Sequence, residues 1–143
     1  MAIPAKLLSD NIRSLKIKNN HPISLNTLPK KLEIIYLTKY NHRLLSGVLP
    51  NGLIKIIFGC DFNIDIDSGV LPNSISYIQF GNKFNQRIDE NVLPSSLKII
   101  KFSWNYNNPF MPDVLPHSIK EIVLEHFNQE LLPDVLPQSL IKY

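Results

Sequence analysis

The sequence predicts a right-handed solenoid, a coil of stacked repeats of about 22 residues that each contribute one short parallel β-strand and little helix. Three observations support this expectation. A Leu-Pro pair recurs six times, at steps of 21, 22, 22, 22 and 21 residues. An aliphatic residue follows each of those leucines after four positions. Two further apolar columns lie two residues apart, which is the period of a β-strand.

Each repeat opens on a Leu-Pro pair, and the leucine of that pair is taken as position 1. The pairs are Leu28-Pro29, Leu49-Pro50, Leu71-Pro72, Leu93-Pro94, Leu115-Pro116 and Leu136-Pro137. Proline favours an extended conformation in the residue before it, so each pair is expected to mark the corner that precedes a new strand. Position 5 is aliphatic throughout: Leu32, Leu53, Ile75, Leu97, Ile119 and Leu140.

The strand is predicted over positions 6 to 10 because positions 8 and 10 are both apolar. Position 8 is Ile35, Ile56, Ile78, Ile100 and Ile122. Position 10 is Leu37, Phe58, Phe80, Phe102 and Leu124. A strand that buries these two columns turns positions 7, 9 and 11 towards solvent.

The second half of each repeat carries an aromatic residue followed by asparagine, and the repeat closes on a valine. The asparagines are Asn41, Asn63, Asn85, Asn107 and Asn128. The valines are Val48, Val70, Val92, Val114 and Val135. An amide both donates and accepts hydrogen bonds, so the asparagines are expected to form a partly buried structural ladder that satisfies backbone groups at the corner.

The repeats organise residues 1–143 into a single repeat domain. Its parts are an N-terminal extension (1–7), a degenerate capping repeat (8–27), five full repeats (28–48, 49–70, 71–92, 93–114 and 115–135) and a partial repeat (136–143). In the capping repeat Ser9 replaces the proline, and the aromatic-Asn pair is missing. A repeat of this length buries few of its own apolar side chains, so stability is expected to come from stacking.

The Leu-x-x-Ile-x-Phe core resembles the strand of leucine-rich repeats, and the Leu-Pro and aromatic-Asn pattern resembles the FNIP repeat, named for Phe-Asn-Ile-Pro. Phe62-Asn63-Ile64-Asp65 keeps only part of that tetrapeptide. The resemblance covers nearly the whole chain and implies a leucine-rich-repeat-like solenoid from a social amoeba or a giant amoeba-infecting virus. Many relatives carry an F-box ahead of the repeats, and about seven residues precede the first repeat here. The expectation is therefore a bare recognition module, or alternatively a fragment of a longer protein, and the resemblance carries over no catalytic residue.

Composition agrees with one folded domain, since 44% of the 143 residues are hydrophobic and 19% are charged. The 15 basic and 12 acidic residues form no long run of like charge, so no nucleic-acid partner is expected. No signal peptide or bilayer-length apolar stretch is found, which predicts an intracellular, cytoplasmic protein (host cytoplasm if viral) with no membrane partner. Cys60 is the single cysteine and is expected to be half-buried filler.

No pattern in the sequence predicts a catalytic site, a metal or a cofactor. Asp61-x-Asn63-x-Asp65 imitates the start of an EF-hand loop, but Ile66 and Pro72 stand where that loop needs glycine and glutamate. The four histidines fall in unrelated parts of different repeats. The chain is therefore predicted not to be an enzyme.

The outward positions of the strands are predicted to bind a partner protein. The candidate contact residues are Ile34, Tyr36, Ile57, Tyr77, Ile99, Lys101 and Val123, with Tyr36 and Tyr77 as the favoured anchors. The alternative for any one of them is that β-branched and aromatic residues simply suit strands. A second functional hypothesis is self-association of a structural protein through the open edge of the partial repeat, Leu136 to Tyr143.

Overall fold

The computed structural model describes residues 8–142, so the predicted extension 1–7 and Tyr143 lie outside the described residues. The described chain forms six short strands: β1 Ser14–Ile17, β2 Ile34–Leu37, β3 Lys55–Phe58, β4 Tyr77–Gln79, β5 Ile99–Phe102 and β6 Glu121–Leu124. They form one sheet in sequence order, and every neighbouring pair is parallel. Residues 8–142 contain no helix. The predicted solenoid of 22-residue repeats is confirmed.

The strands pair with equal positions of successive repeats facing each other. Ile35 faces Ile56, and Ile56 faces Ile78, although the first pair is 21 residues apart in sequence and the second 22. The missing residue of the two shorter repeats lies between the strand and the following aromatic, since Tyr40 and Phe127 come one position earlier than Phe62 does. The corner after the strand therefore absorbs the difference in repeat length without disturbing the register.

The core runs through the centre of the coil as continuous columns of stacked side chains. Position 5 is fully buried in all five full repeats, and position 8 is at most 1% exposed in the same repeats. The Leu of each full repeat and the five closing valines are also buried. Burial alternates along β2, β3 and β5 as the predicted period of two requires, so the side chains at positions 8 and 10 face inwards.

Two aromatic columns form the middle of this core. One consists of Phe58, Phe80 and Phe102, and the other of Phe62, Phe84, Tyr106 and Phe127. Ring centroids lie 3.9 to 4.2 Å apart within a repeat and 5.1 to 6.3 Å apart between successive members of a column. Stacking of the rings stabilises the core beyond the burial of their apolar surface. Neighbouring repeats are therefore held together more strongly than by aliphatic packing alone.

A left-handed residue, which the sequence pattern did not reveal, lies two positions before the Leu-Pro leucine in five of the six turns. These residues have φ between 61° and 80°, and they are Asn26, Gly47, Gly69, Asn91 and Asp113. In the turn before Val70, the valine N–H donates to the carbonyl of Asp67, so the left-handed residue is third in a β-turn. Glycine, asparagine and aspartate are the residues that tolerate this conformation.

The expectation that position 11 faces solvent is wrong in the middle repeats. A Cβ atom on Gly59 would lie 2.0 Å from the carbonyl oxygen of Thr38, and one on Gly81 would lie 2.2 Å from that of Gly59. The backbone bends there and aims this position at the preceding repeat, which leaves room only for glycine. Cys60, expected to be half-buried, is exposed.

Candidate interaction face

The outward side chains of the six strands form one surface, which we call the sheet face and define as positions 7 and 9 of each strand. Its position 7 row is Ser14, Ile34, Lys55, Tyr77, Ile99 and Glu121. Its position 9 row is Lys16, Tyr36, Ile57, Gln79, Lys101 and Val123. Strand pairing brings all seven predicted contact residues onto this face.

The apolar members of the sheet face are half-buried, because neighbours along each row cover part of every side chain. The large apolar side chains that are most exposed lie elsewhere: Leu25, Leu45, Ile54, Trp104, Met111, Leu132 and Ile141. A half-buried side chain can still contact a partner. A partner that lies across the rows would cover the accessible edge of each ring and methyl group. It does mean that the face is preformed, with side chains held by their neighbours.

Tyr77 is the centre of a polar cluster on this face. The ammonium of Lys55 lies 4.2 Å from the centre of the Tyr77 ring, and that of Lys101 lies 5.9 Å from it. Both distances are within the range of a cation–π interaction. The Tyr77 hydroxyl donates to Gln79 Oε1 at 2.8 Å, which fixes the ring orientation. The sheet face therefore presents an oriented aromatic ring with two cations beside it.

Tyr36 lies in the position 9 row, where its strand partners are Lys16 and Ile57. It is half-buried, as Tyr77 is. Lysine and tyrosine thus alternate across the sheet: β1, β3 and β5 each carry a lysine on the face, and β2 and β4 each carry a tyrosine.

The asparagines stand at the corner after the strand and are hydrogen-bonded from repeat to repeat. The backbone N–H of each asparagine donates to the side-chain Oδ1 of the asparagine one repeat earlier, at 2.8 to 3.0 Å. The series begins at Asn20 in the capping repeat, which no aromatic precedes and which the sequence pattern therefore missed. Asn41, Asn63 and Asn107 are half-buried, whereas Asn85 and Asn128 are exposed.

A second hydrogen-bonded column, also missed, uses serine at position 4. Each serine hydroxyl donates at 2.6 to 2.9 Å to the carbonyl of the position 5 residue of the preceding repeat, and the donors are Ser74, Ser96, Ser118 and Ser139. Recurrence of serine at one register position was the signal that could have revealed it. Both columns satisfy backbone groups between repeats and leave the sheet face to other residues.

Carboxylates that could suggest metal or acid–base chemistry are held in surface ion pairs. Asp61 lies 2.7 Å from Lys83, and the hydrogen bond and charge of that lysine lower the pKa of Asp61. Asp67 accepts hydrogen bonds from both Nε and Nη2 of the Arg43 guanidinium, and these bonds raise the pKa of Arg43. Within residues 8–142, no three His, Cys, Asp or Glu side chains group as metal ligands would. No helix in that range is long and apolar enough to cross a membrane.

The C-terminal end of the sheet is an edge on which a seventh strand has begun. Lys142 bridges to Glu121, and its carbonyl accepts the N–H of Ile122 at 3.0 Å. The core is thinner here: Leu124 and Phe127 are only partly buried, although their equivalents in the earlier full repeats are buried. Ile141 is 79% exposed.

Comparison with known proteins places this geometry among repeat solenoids. The sequence model of the FNIP Repeat matches residues 40–83, 84–126 and 112–142. The solved structure of CroV588, a giant-virus protein described as a novel circular LRR protein structure, superposes with a TM-score of 0.94 at 38% identity. The match covers 99% of this chain but 22% of CroV588, so the chain spans about a fifth of that protein. No curated protein sequence matches the chain.

Proposed function

The chain belongs to the FNIP repeat family, and we propose that it is a non-catalytic interaction module that binds a partner protein along the sheet face. Solenoids of this leucine-rich-repeat type are typical of protein-interaction modules. The observation that supports this face is its preformed pairs of an aromatic and an aliphatic side chain, Tyr36 beside Ile57 and Tyr77 beside Ile99, held in register by parallel pairing. Aromatic side chains flanked by aliphatic ones supply contact area at little entropic cost.

The test is site-specific photocrosslinking followed by reconstitution. A benzoylphenylalanine at position 57, in the centre of the sheet face, is compared with one at position 45, where the exposed Leu45 lies in a turn outside the face. Segments that crosslink only from position 57 are identified by mass spectrometry, and their parent protein is purified. Tyr36→Ala and Tyr77→Ala should each weaken its binding about tenfold or more, and Leu45→Ala by less than about twofold. Equal effects of all three variants contradict the proposal.

A second candidate function is self-association through the C-terminal edge. Half-paired Lys142, exposed Ile141 and the thin core around Phe127 favour it, because an incomplete edge pairs readily with another strand. CroV588, of which the chain matches 22%, is described as circular.

Light scattering across a range of concentrations tests this candidate. Mass should rise with concentration, and Ile141→Asp should abolish the rise without affecting folding, because that side chain is almost free of contacts in the single chain. A constant monomer mass for the unaltered chain excludes the candidate.

A further inference from the structure

We infer that the partner segment is acidic and that its carboxylates bind beside Lys16, Lys55 and Lys101, with the Lys55–Tyr77–Lys101 cluster as the main contact. This inference rests on the proposed function and specifies the chemistry of the partner. It follows from the distribution of charge on the sheet face, from the incomplete neutralisation of the cluster and from the spacing of the lysines.

Positive charge is concentrated on the face. Over β1 to β5 the sheet face holds three lysines and no carboxylate, and its only acidic residue is Glu121 on β6. The formal net charge of the chain is +3, of which the three lysines and one glutamate of the sheet face contribute +2; the other 12 basic and 11 acidic residues contribute +1. Lys18, exposed directly after β1, adds a fourth cation at the margin. A surface of one sign steers and selects partners of the opposite sign.

The cluster itself is only partly neutralised, because Glu121 is the one carboxylate paired with it within residues 8–142. Glu121 lies 3.5 Å from Lys101 but also 3.9 Å from Lys142, so one carboxylate serves two lysines. Lys55 makes no ion pair within residues 8–142, and its ammonium is held against the Tyr77 ring. An ammonium has three donors, and the face of an aromatic ring accepts from one side only. Lys55 is therefore positioned in advance to donate to an incoming carboxylate.

The spacing of the lysines favours an acidic protein segment over a nucleic acid. They stand on alternate strands, and strands are about 4.8 Å apart, so neighbouring lysines are separated by roughly 10 Å. A peptide in the polyproline II conformation advances about 3.1 Å per residue with three residues per turn, so acidic residues three positions apart lie on one side of it and match this step. A nucleic-acid strand carries a charge about every 3.4 Å and would leave most of its phosphates without a cation here. Tyr36 and Tyr77, between the lysine strands, would contact the apolar residues that separate the acids.

Fluorescence anisotropy with synthetic peptides tests the inference. The probe is a fluorescein-labelled 13-residue peptide with glutamate at every third position and leucine and serine between; the matched control has glutamine in place of glutamate. At low ionic strength the glutamate peptide should bind at least about tenfold more tightly than the glutamine peptide, and added salt should remove the difference. Equal binding of the two peptides overturns the inference, as does tighter binding of a 20-nucleotide RNA.

Charge reversal locates the site. Lys55→Glu should weaken binding of the glutamate peptide about tenfold, whereas Lys30→Glu, the same change at an exposed corner ahead of β2, should leave it within about twofold. Circular dichroism and unfolding midpoints check that both variants fold. Equal losses in the two variants would mean a diffuse charge effect and overturn the assignment.

The photocrosslinked segments separate failure of this inference from failure of the proposed function. A neutral or basic segment attached at position 57 leaves the interaction face in place but overturns its preference for acidic partners. If no segment crosslinks from that position, the interaction face itself is wrong.

Discussion

The contribution of the asparagine ladder to stability can be measured at Asn41. Its Oδ1 accepts the backbone N–H of Asn63 at 3.0 Å, and that contact is part-buried. In Asn41→Ala the N–H loses its acceptor in a place that water reaches only in part, which costs about 1–2 kcal/mol. With a urea m-value of about 2 kcal/mol/M for a chain of this size, the midpoint of unfolding should fall by about 0.5 to 1 M.

Two further variants make this prediction refutable. Asn41→Asp keeps an oxygen at the same position and should recover at least half of the lost free energy, because the ladder uses asparagine as an acceptor. Asn51→Ala removes an exposed amide from the corner before β3 and should change the free energy of unfolding by less than about 0.5 kcal/mol. If Asn41→Ala unfolds like Asn51→Ala, the ladder contributes nothing to stability. If Asp is as damaging as Ala, the acceptor role is wrong.

Three other perturbations probe the core, the turns and the buried tyrosine. Phe80→Ala, in the middle of an aromatic column, should lower the free energy of unfolding by about 3–5 kcal/mol in urea titrations; a loss below about 1 kcal/mol contradicts the packing described. Gly69→Ala should cost about 1 kcal/mol because φ is +79° there, whereas Gly52→Ala, with equally open surroundings and no positive φ, should cost nothing measurable. Burial raises the pKa of Tyr106, so the unfolded chain ionises first and stability is lost as pH rises above about 10. Tyr106→Phe should shift alkaline unfolding to higher pH, and an unchanged alkaline midpoint speaks against this account.

The fold could be predicted from the sequence because its core positions keep one residue class at one spacing. The Leu-Pro pairs show where each repeat begins, and the isoleucines at position 8 show which side of the strand faces the core. The left-handed turn residues escaped notice because the requirement is conformational: glycine, asparagine and aspartate meet it equally well, so no single letter recurs. Asn20 was missed for a related reason. Its position in the repeat is sufficient for it to accept the hydrogen bond of the ladder, and the aromatic neighbour that marks the other asparagines is not needed.

The candidate site was predictable in part. A period of two was sufficient to place Tyr36, Tyr77 and Lys101 on one face. The contact of both lysines with one ring was not predictable, because Lys55 is the strand partner of Tyr77 whereas Lys101 reaches the ring from the position 9 row of the next strand. The bend at Gly59 was also missed, since only the path of the backbone shows that a Cβ atom has no room there.

The corner after the strand, where repeats of 21 and 22 residues differ, also indicates where this protein can be re-engineered. Two of the five full repeats are one residue shorter at this corner than the other three, and the strand register is the same in all five. The corner therefore tolerates a change in length. A reporter peptide or a short binding loop placed between Lys39 and Tyr40 should therefore be accommodated outside the stacked core. Whole 22-residue units could likewise be added or removed between repeats, which would lengthen or shorten the sheet face in steps of one strand.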